Sequence, residues 1–195
     1  MPLLKAPLPA QILRNQETTM SLSAIILLIL VVFVAILVYA WTRPDTFSVQ
    51  RSLTIAAPAE KLFAFINDFN RWPDWSPYEH RDPNMKRTIG GASNGKGATY
   101  AWEGNKNVGK GRMEILDTQP PSLITIKLDF EQPFEAHNVA ELTLQPVAGG
   151  TNVTWAMRGP ASFMTKLIGS FMNMDKMVGQ DFEAGLAKLK DAVKS

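Results

Sequence analysis

The feature that most constrains this chain is an uncharged stretch, LSAIILLILVVFVAILVYAW, that runs from Leu22 to Trp41. No charged residue stands between Glu17 and Arg43. As a helix rising about 1.5 Å per residue, the stretch would be about 30 Å long, which matches the hydrocarbon core of a bilayer. We therefore predict a single transmembrane helix at residues 21–41.

A cleaved signal peptide is the alternative, but its apolar region is usually only about 7 to 15 residues long. Orientation rests on the flanking basic residues, because positive charge is retained on the cytoplasmic side. Lys5 and Arg14 precede the stretch together with the terminal amine, and Arg43 and Arg51 follow it. The slight N-terminal excess favours a cytoplasmic N-terminus and an outward domain.

Length and composition bound the rest of the chain. A chain of 195 residues leaves room for one ordinary domain beside the helix. We divide it into an N-terminal tail at 1–20, the helix, a short linker at 42–45 and a domain at 46–195. The absence of cysteine excludes thiol catalysis and cysteine-ligated metals, and a net charge of +2 argues against nucleic acid as a partner.

Hydrophobic periodicity predicts that the domain is α+β. Residues alternate between apolar and polar over 46–55, as in a half-buried strand, and helical spacing follows over 58–69. About six further strand signals lead to a helical pattern over 161–193, with a bend expected within 172–179. We predict a curved antiparallel sheet of about seven strands wrapped on a long C-terminal helix, the helix-grip fold, with room for an apolar cavity between them.

Three segments carry a resemblance to a known family: RSLTIAAPAEKLFAFINDFNRWPDWSPYE, GKGATYAWEGNKNVGKGRMEI and GQDFEAGLAKLK. Over residues 46–194 the chain resembles the SRPBCC superfamily, in its polyketide cyclase/dehydrase-like branch. The resemblance implies the helix-grip fold of START lipid-binding domains, with a hydrophobic ligand held between sheet and C-terminal helix. It implies no single activity, because members include lipid carriers, aromatase/cyclases and hormone receptors.

Large apolar side chains are the candidate ligand-binding residues. The segment RWPDWSPYEHRDP, at 71–83, has too many prolines for a regular element and too many rings for an ordinary loop. We interpret it as a lid or pocket wall, with ordinary core packing as the alternative. The predicted lining is Trp72, Trp75, Tyr78, Tyr100, Trp102, Phe130, Phe134, Trp155, Met157 and Met172.

Polar candidates for catalysis are weaker. His137 could reach the cavity mouth as a general acid or base, Asp175 could face the pocket from the final helix, and Tyr100 shares the apolar face of its strand. A capping role is the alternative for Asp175, and an exposed loop position is the expectation for His80. The carboxylates next to predicted cavity elements are Asp74, Glu79, Glu103, Glu135 and Asp175, of which Glu103 should be solvated because it alternates with Trp102. No metal-binding signature is present, and we predict neither a metal nor a cofactor.

Three functions remain open. The first is a membrane-anchored binding protein for a hydrophobic small molecule or lipid, with the bilayer contacted through residues 21–41. The second is a cyclase or dehydrase-type enzyme acting on a hydrophobic substrate. The third is a non-catalytic interaction domain whose core is filled by its own side chains.

Overall fold

The uncharged stretch forms a helix, α1, from Leu22 to Thr42 in the computed structural model, which describes residues 21–171 and 173–194. The hydroxyl of Ser21 caps the helix by accepting a hydrogen bond from the backbone N–H of Ala24. By length and composition α1 is a candidate membrane span, and its most apolar window is not buried against the protein. The predicted tail at 1–20 lies outside the described residues.

Seven strands form one antiparallel sheet, as the alternating patterns predict. The sheet order is β1-β7-β6-β5-β4-β3-β2, so every strand except the first and last in the row pairs on both sides. The strands are β1 (Thr46–Ile55), β2 (Lys86–Gly91), β3 (Ala98–Glu103), β4 (Lys110–Gln119), β5 (Leu123–Gln132), β6 (Ala136–Val147) and β7 (Gly150–Pro160).

Short helices connect β1 to β2, where the sequence predicts one helix and an irregular segment. Helix α2 covers Ala59–Ile66, with Pro58 in the capping position where its missing N–H is not needed. A 3₁₀ helix follows at Phe69–Asp74, so the proline-rich segment begins as regular structure rather than as a loop. Its Trp72 donates a hydrogen bond from Nε1 to the backbone oxygen of Ile66, which ties the two helices together.

The C-terminal helix is divided where the sequence predicts only a bend. Helix α3 covers Phe163–Gly169 and helix α4 covers Met174–Ala192. The break has a local cause, because the side chain of Asn173 accepts a hydrogen bond from the backbone N–H of Lys176 and starts a new helix.

Helix α4 packs on one face of the sheet, which gives the predicted helix-grip fold. Phe182, on the buried side of α4, stacks on Trp155 of β7 with 4.3 Å between ring centroids and an interplanar angle of 6°. Gly185 follows on the same side, and a Cβ placed there would lie 2.7 Å from Trp155 Cζ3. The helix can therefore lie close to this ring only because residue 185 has no side chain.

Candidate functional site: an apolar cavity between the sheet and α4

A cavity of about 230 Å³ lies between the sheet, the segment that follows the 3₁₀ helix, and α4. Its walls come mainly from rings and methionines, which suit apolar contents. The strands present these side chains at every second position, so Tyr100 and Trp102 of β3 point into the same space. Among the residues predicted to bind a ligand, those that line the cavity are Trp72, Tyr78, Tyr100, Trp102, Phe130, Trp155 and Met157.

The remaining predicted ligand-binding residues do not line it. Trp75 is fully buried behind the wall, with its ring centroid 4.9 Å from that of Trp72 and 5.5 Å from that of Trp155. Phe134 is 64% exposed in the turn between β5 and β6. This turn lies beyond the ends of the two strands, so the ring does not reach the cavity wall. Met172 lies outside the described residues.

Glu79 is the polar centre of the cavity wall. Its carboxylate is 5% exposed and accepts two hydrogen bonds of 2.5 Å, from Tyr100 Oη to Oε1 and from Arg87 Nε to Oε2. Arg87 Nη2 also donates to the backbone oxygen of Glu79 at 2.9 Å. Burial, and next the hydrogen bond to Glu79, raise the pKa of Tyr100 above its ordinary value, so its hydroxyl keeps its proton.

A second set of polar side chains lies on the more exposed side of the cavity. Arg81 forms an ion pair with Asp181 of α4, and its guanidinium lies 5.0 Å from the ring centroid of Tyr78. Burial, and next the charge of Asp181, raise the pKa of Tyr78 above its ordinary value. This group connects the proline-rich segment to α4 across the cavity.

Two of the three catalytic candidates lie elsewhere. His137 is on the outer face of the sheet, where its Nδ1 is 2.8 Å from Asp129 Oδ1. Asp129 faces outward because the next residue in the strand, Phe130, faces the cavity. Asp175 pairs with Arg51 of β1 at 3.0 Å, beyond the end of the cavity. Only Tyr100 lines the cavity as expected.

The sequence did not assign a role to the charged residues of the cavity wall. Glu79 was one of five carboxylates next to predicted cavity elements, and no pattern indicated Arg81 and Asp181, which line the cavity, or Arg87, which pairs with Glu79. Their pairing depends on the path of the chain between the 3₁₀ helix and β2, which carries no periodic signal. His80 and Glu103 are exposed, as the sequence predicts.

A second space, of about 590 Å³, lies between the end of α1, β1, α3 and the start of α4. Polar side chains such as Arg43, Lys166 and Asp175 contribute to its walls, so it differs in character from the apolar cavity. In the part of the chain that the structure describes, no three His, Cys, Asp or Glu residues are grouped as a metal site would require.

A comparison with known protein families shows which family the chain belongs to. The family described as "Polyketide cyclase / dehydrase and lipid transport" matches residues 46–194. The chain belongs to this family. Because the family is of the SRPBCC type, the resemblance read from the sequence is confirmed, and the match begins after α1. No curated protein matches the chain.

Solved structures of several bacterial proteins share the fold. A protein from Chromobacterium violaceum has a TM-score of 0.54 and 14% identity, over 78% of this chain and 99% of its own. The Aha1 dimer from Colwellia psychrerythraea has a TM-score of 0.51 and 14% identity, over 75% and 96% of the two chains. The di-domain ARO/CYC protein StfQ from the steffimycin biosynthetic pathway has a TM-score of 0.57 and 8% identity, over 76% and 51%. At these identities the likeness establishes the fold alone.

Proposed function

We propose that the protein is a membrane-anchored binding protein that holds a hydrophobic small molecule or lipid between its sheet and α4. The observation that carries the proposal is the cavity of about 230 Å³, whose wall is aromatic and aliphatic except for a few polar side chains. Pockets with this balance take ligands that are mostly apolar and that carry one or two polar groups.

The polar groups in the wall indicate what the ligand should carry. Tyr100 donates its only O–H to Glu79, so its oxygen is left with lone pairs that can accept a hydrogen bond. The carboxylate of Glu79 can also accept more than the two hydrogen bonds that it receives from protein groups. A hydrophobic ligand with a hydroxyl or another hydrogen-bond donor would fit this wall better than one with acceptors alone.

Anchoring through α1 completes the proposal. The helix covers 21 residues, about 31 Å at the usual rise, which is long enough to cross the hydrocarbon core. Only Arg43, Pro44 and Asp45 separate α1 from β1. This short connection would raise the concentration of bilayer-derived ligands near the cavity. The slight excess of basic residues before α1 still favours an outward domain.

Mass spectrometry of retained small molecules tests the proposal. Full-length protein would be purified in detergent beside Ala140→Leu, because Ala140 lines the cavity and a leucine there reduces its space. The matched control is Ala101→Leu in β3, which makes the same change on the opposite face of the sheet from Ala140. Lipid bound around α1 should be equal in all three proteins, so only a ligand of the cavity should be lost from Ala140→Leu.

Equal retention in the three proteins would contradict the proposal and favour the interaction domain.

The hydrogen-bonded pair of Tyr100 and Glu79 supports a second candidate, a cyclase or dehydrase-type enzyme, because a hydroxyl and a carboxylate can transfer protons. Conversion of the identified ligand by the unmodified protein, but not by Glu79→Gln, would favour this enzyme over a binding protein.

A further inference from the structure

Helix α3 and the turn after it expose large apolar side chains to solvent. Phe163 is 41% exposed, Met164 is 53% exposed and Phe171 is 70% exposed, and α3 has no buried residue. We call these three side chains the α3 apolar face. Exposed aromatic and methionine side chains grouped in this way mark a surface that contacts an apolar partner.

This face lies directly beside α1. Helix α3 packs against α1, and the last turns of α1 are covered on one side, where Ala40 is fully buried and Ile36 and Leu37 are partly covered. Ala40 follows Leu37 by three positions and Ile36 by four, so the three residues form one stripe along the helix. Apart from Ala24, which is half-buried, the remainder of α1 is exposed and available to lipid.

The linker keeps α3 close to the end of α1. The backbone N–H of Ala161 donates to the backbone oxygen of Asp45 at 2.7 Å, and Lys166 donates to the Asp45 carboxylate. Asp45 is three residues after Thr42, which ends α1, so it lies at most about 11 Å beyond the helix. The headgroup layer on each side of the hydrocarbon core is about 5 to 8 Å thick. If α1 spans the core, α3 is therefore held at or next to this layer.

The charge of this region also suits a lipid surface. From Phe163 to Phe171 the sequence is FMTKLIGSF, with one lysine and no acidic residue. An element of this composition can lie in the interface plane with its rings toward the acyl chains. Lys166 does not oppose this placement, because its charge is paired with the Asp45 carboxylate. A second copy of the chain would have to compete with the lipid that already surrounds α1.

We propose that the α3 apolar face inserts into the headgroup layer beside α1 and holds the domain in one orientation on the bilayer. The proposal rests on the membrane anchoring proposed above. It adds a second attachment point, so the domain does not swing freely on its linker.

The test uses the full-length protein in phospholipid nanodiscs that contain anionic lipid. The chain has no cysteine, so single substitutions Phe163→Cys and Phe171→Cys each carry one nitroxide spin label. Val31→Cys, in the middle of α1, is the control for a lipid environment. Ala148→Cys is the control for water, because it is exposed at the opposite end of β1, about 30 Å from Thr46.

The accessibility of each spin label to dissolved oxygen is divided by its accessibility to a water-soluble nickel complex. This ratio rises with the depth of the label in the bilayer. We expect this ratio at 163 and 171 to be several-fold higher than at 148 and lower than at 31. Ratios at 163 and 171 equal to that at 148, with a lipid-like ratio at 31, would overturn the docking proposal and leave the anchor intact. A water-like ratio at 31 would overturn both proposals.

Discussion

Tyr100 donates a 2.5 Å hydrogen bond to Glu79 within a cavity wall that is otherwise mostly apolar. Replacing Tyr100 with phenylalanine keeps the ring but leaves Glu79 Oε1 without this donor. Because a buried charged acceptor loses a partner, we expect Tyr100→Phe to lower the free energy of unfolding by about 1 to 3 kcal/mol. Denaturation of the detergent-solubilised protein, followed by tryptophan fluorescence, measures this change.

A double-mutant cycle separates this bond from other effects of the substitution. The partner variant is Glu79→Gln, and the two changes should be less than additive because both remove the same charge-assisted hydrogen bond. Additive effects would mean that Tyr100 and Glu79 contribute independently, which contradicts the geometry of the site.

Gly185 allows α4 to lie against the cavity wall. A Cβ at this position would be 2.7 Å from Trp155 Cζ3 and 3.0 Å from Pro77 Cδ, and neither group is a flexible chain end. We expect Gly185→Ala to destabilise the protein by about 1 to 3 kcal/mol through overpacking. Thermal denaturation checks this expectation, with Gly169→Ala as the control, since a Cβ there meets no atom within 4 Å. Equal midpoints for the two variants would contradict the close contact.

Asp82 supports the hairpin that borders the cavity. Its side chain is buried and accepts hydrogen bonds from the backbone N–H groups of Asn105 at 2.7 Å and Asn84 at 3.0 Å. Asp82→Ala should cost about 1 to 3 kcal/mol and should increase hydrogen exchange over residues 104–109. Asp117→Ala, which changes an exposed carboxylate, is the control. Unchanged exchange over 104–109 would show that the hairpin does not depend on Asp82.

His137 and Asp129 form a pH-dependent pair outside the cavity. Their hydrogen bond raises the pKa of His137 above its ordinary value. Burial alone would raise the pKa of Asp129, but hydrogen bonds from Lys127 and His137 lower it overall. Folding raises the pKa of His137, so the pair stabilises the fold fully at pH values below the pKa that His137 has in the unfolded chain. This stabilisation is lost as the pH rises through the pKa that His137 has in the folded protein.

Proton NMR titration of the histidine ring checks this pair. We expect Asp129→Asn to lower the pKa of His137, because the asparagine carries no charge to favour the imidazolium. The chain has two histidines, so a His80→Gln background leaves one ring signal to follow. A pKa of His137 that does not move would show that Asp129 is not its partner in solution.

Strand patterns were the most predictable part of the fold. Residues 46–55 were predicted as a strand and form β1 with these bounds, because a half-buried strand alternates strictly. The same rule would have placed His137 outward. It is an odd-numbered position in a strand whose buried residues, from Asn138 to Leu144, are even-numbered. Because Asn138 is polar, the apolar alternation itself begins only at Ala140.

Contacts between distant segments could not be predicted from periodicity. Asp175 is three residues before Val178, which lines the cavity, so helical spacing did place both on similar faces of α4. Its position along α4 instead brings it to Arg51 at the edge strand of the sheet. Similarly, Glu79 meets Arg87 only because an aperiodic loop brings the two together.

The sheet order leaves β2 as the edge strand farthest from β1. An open edge offers unpaired backbone groups to which a strand of another molecule can add. Here the edge strand has only six residues, starts with Lys86 and Arg87, and ends with Gly90 and Gly91. Short length and the charge of Lys86 both discourage such addition. Crowded copies would therefore resist joining their sheets into aggregates through β2, even where their domains collide.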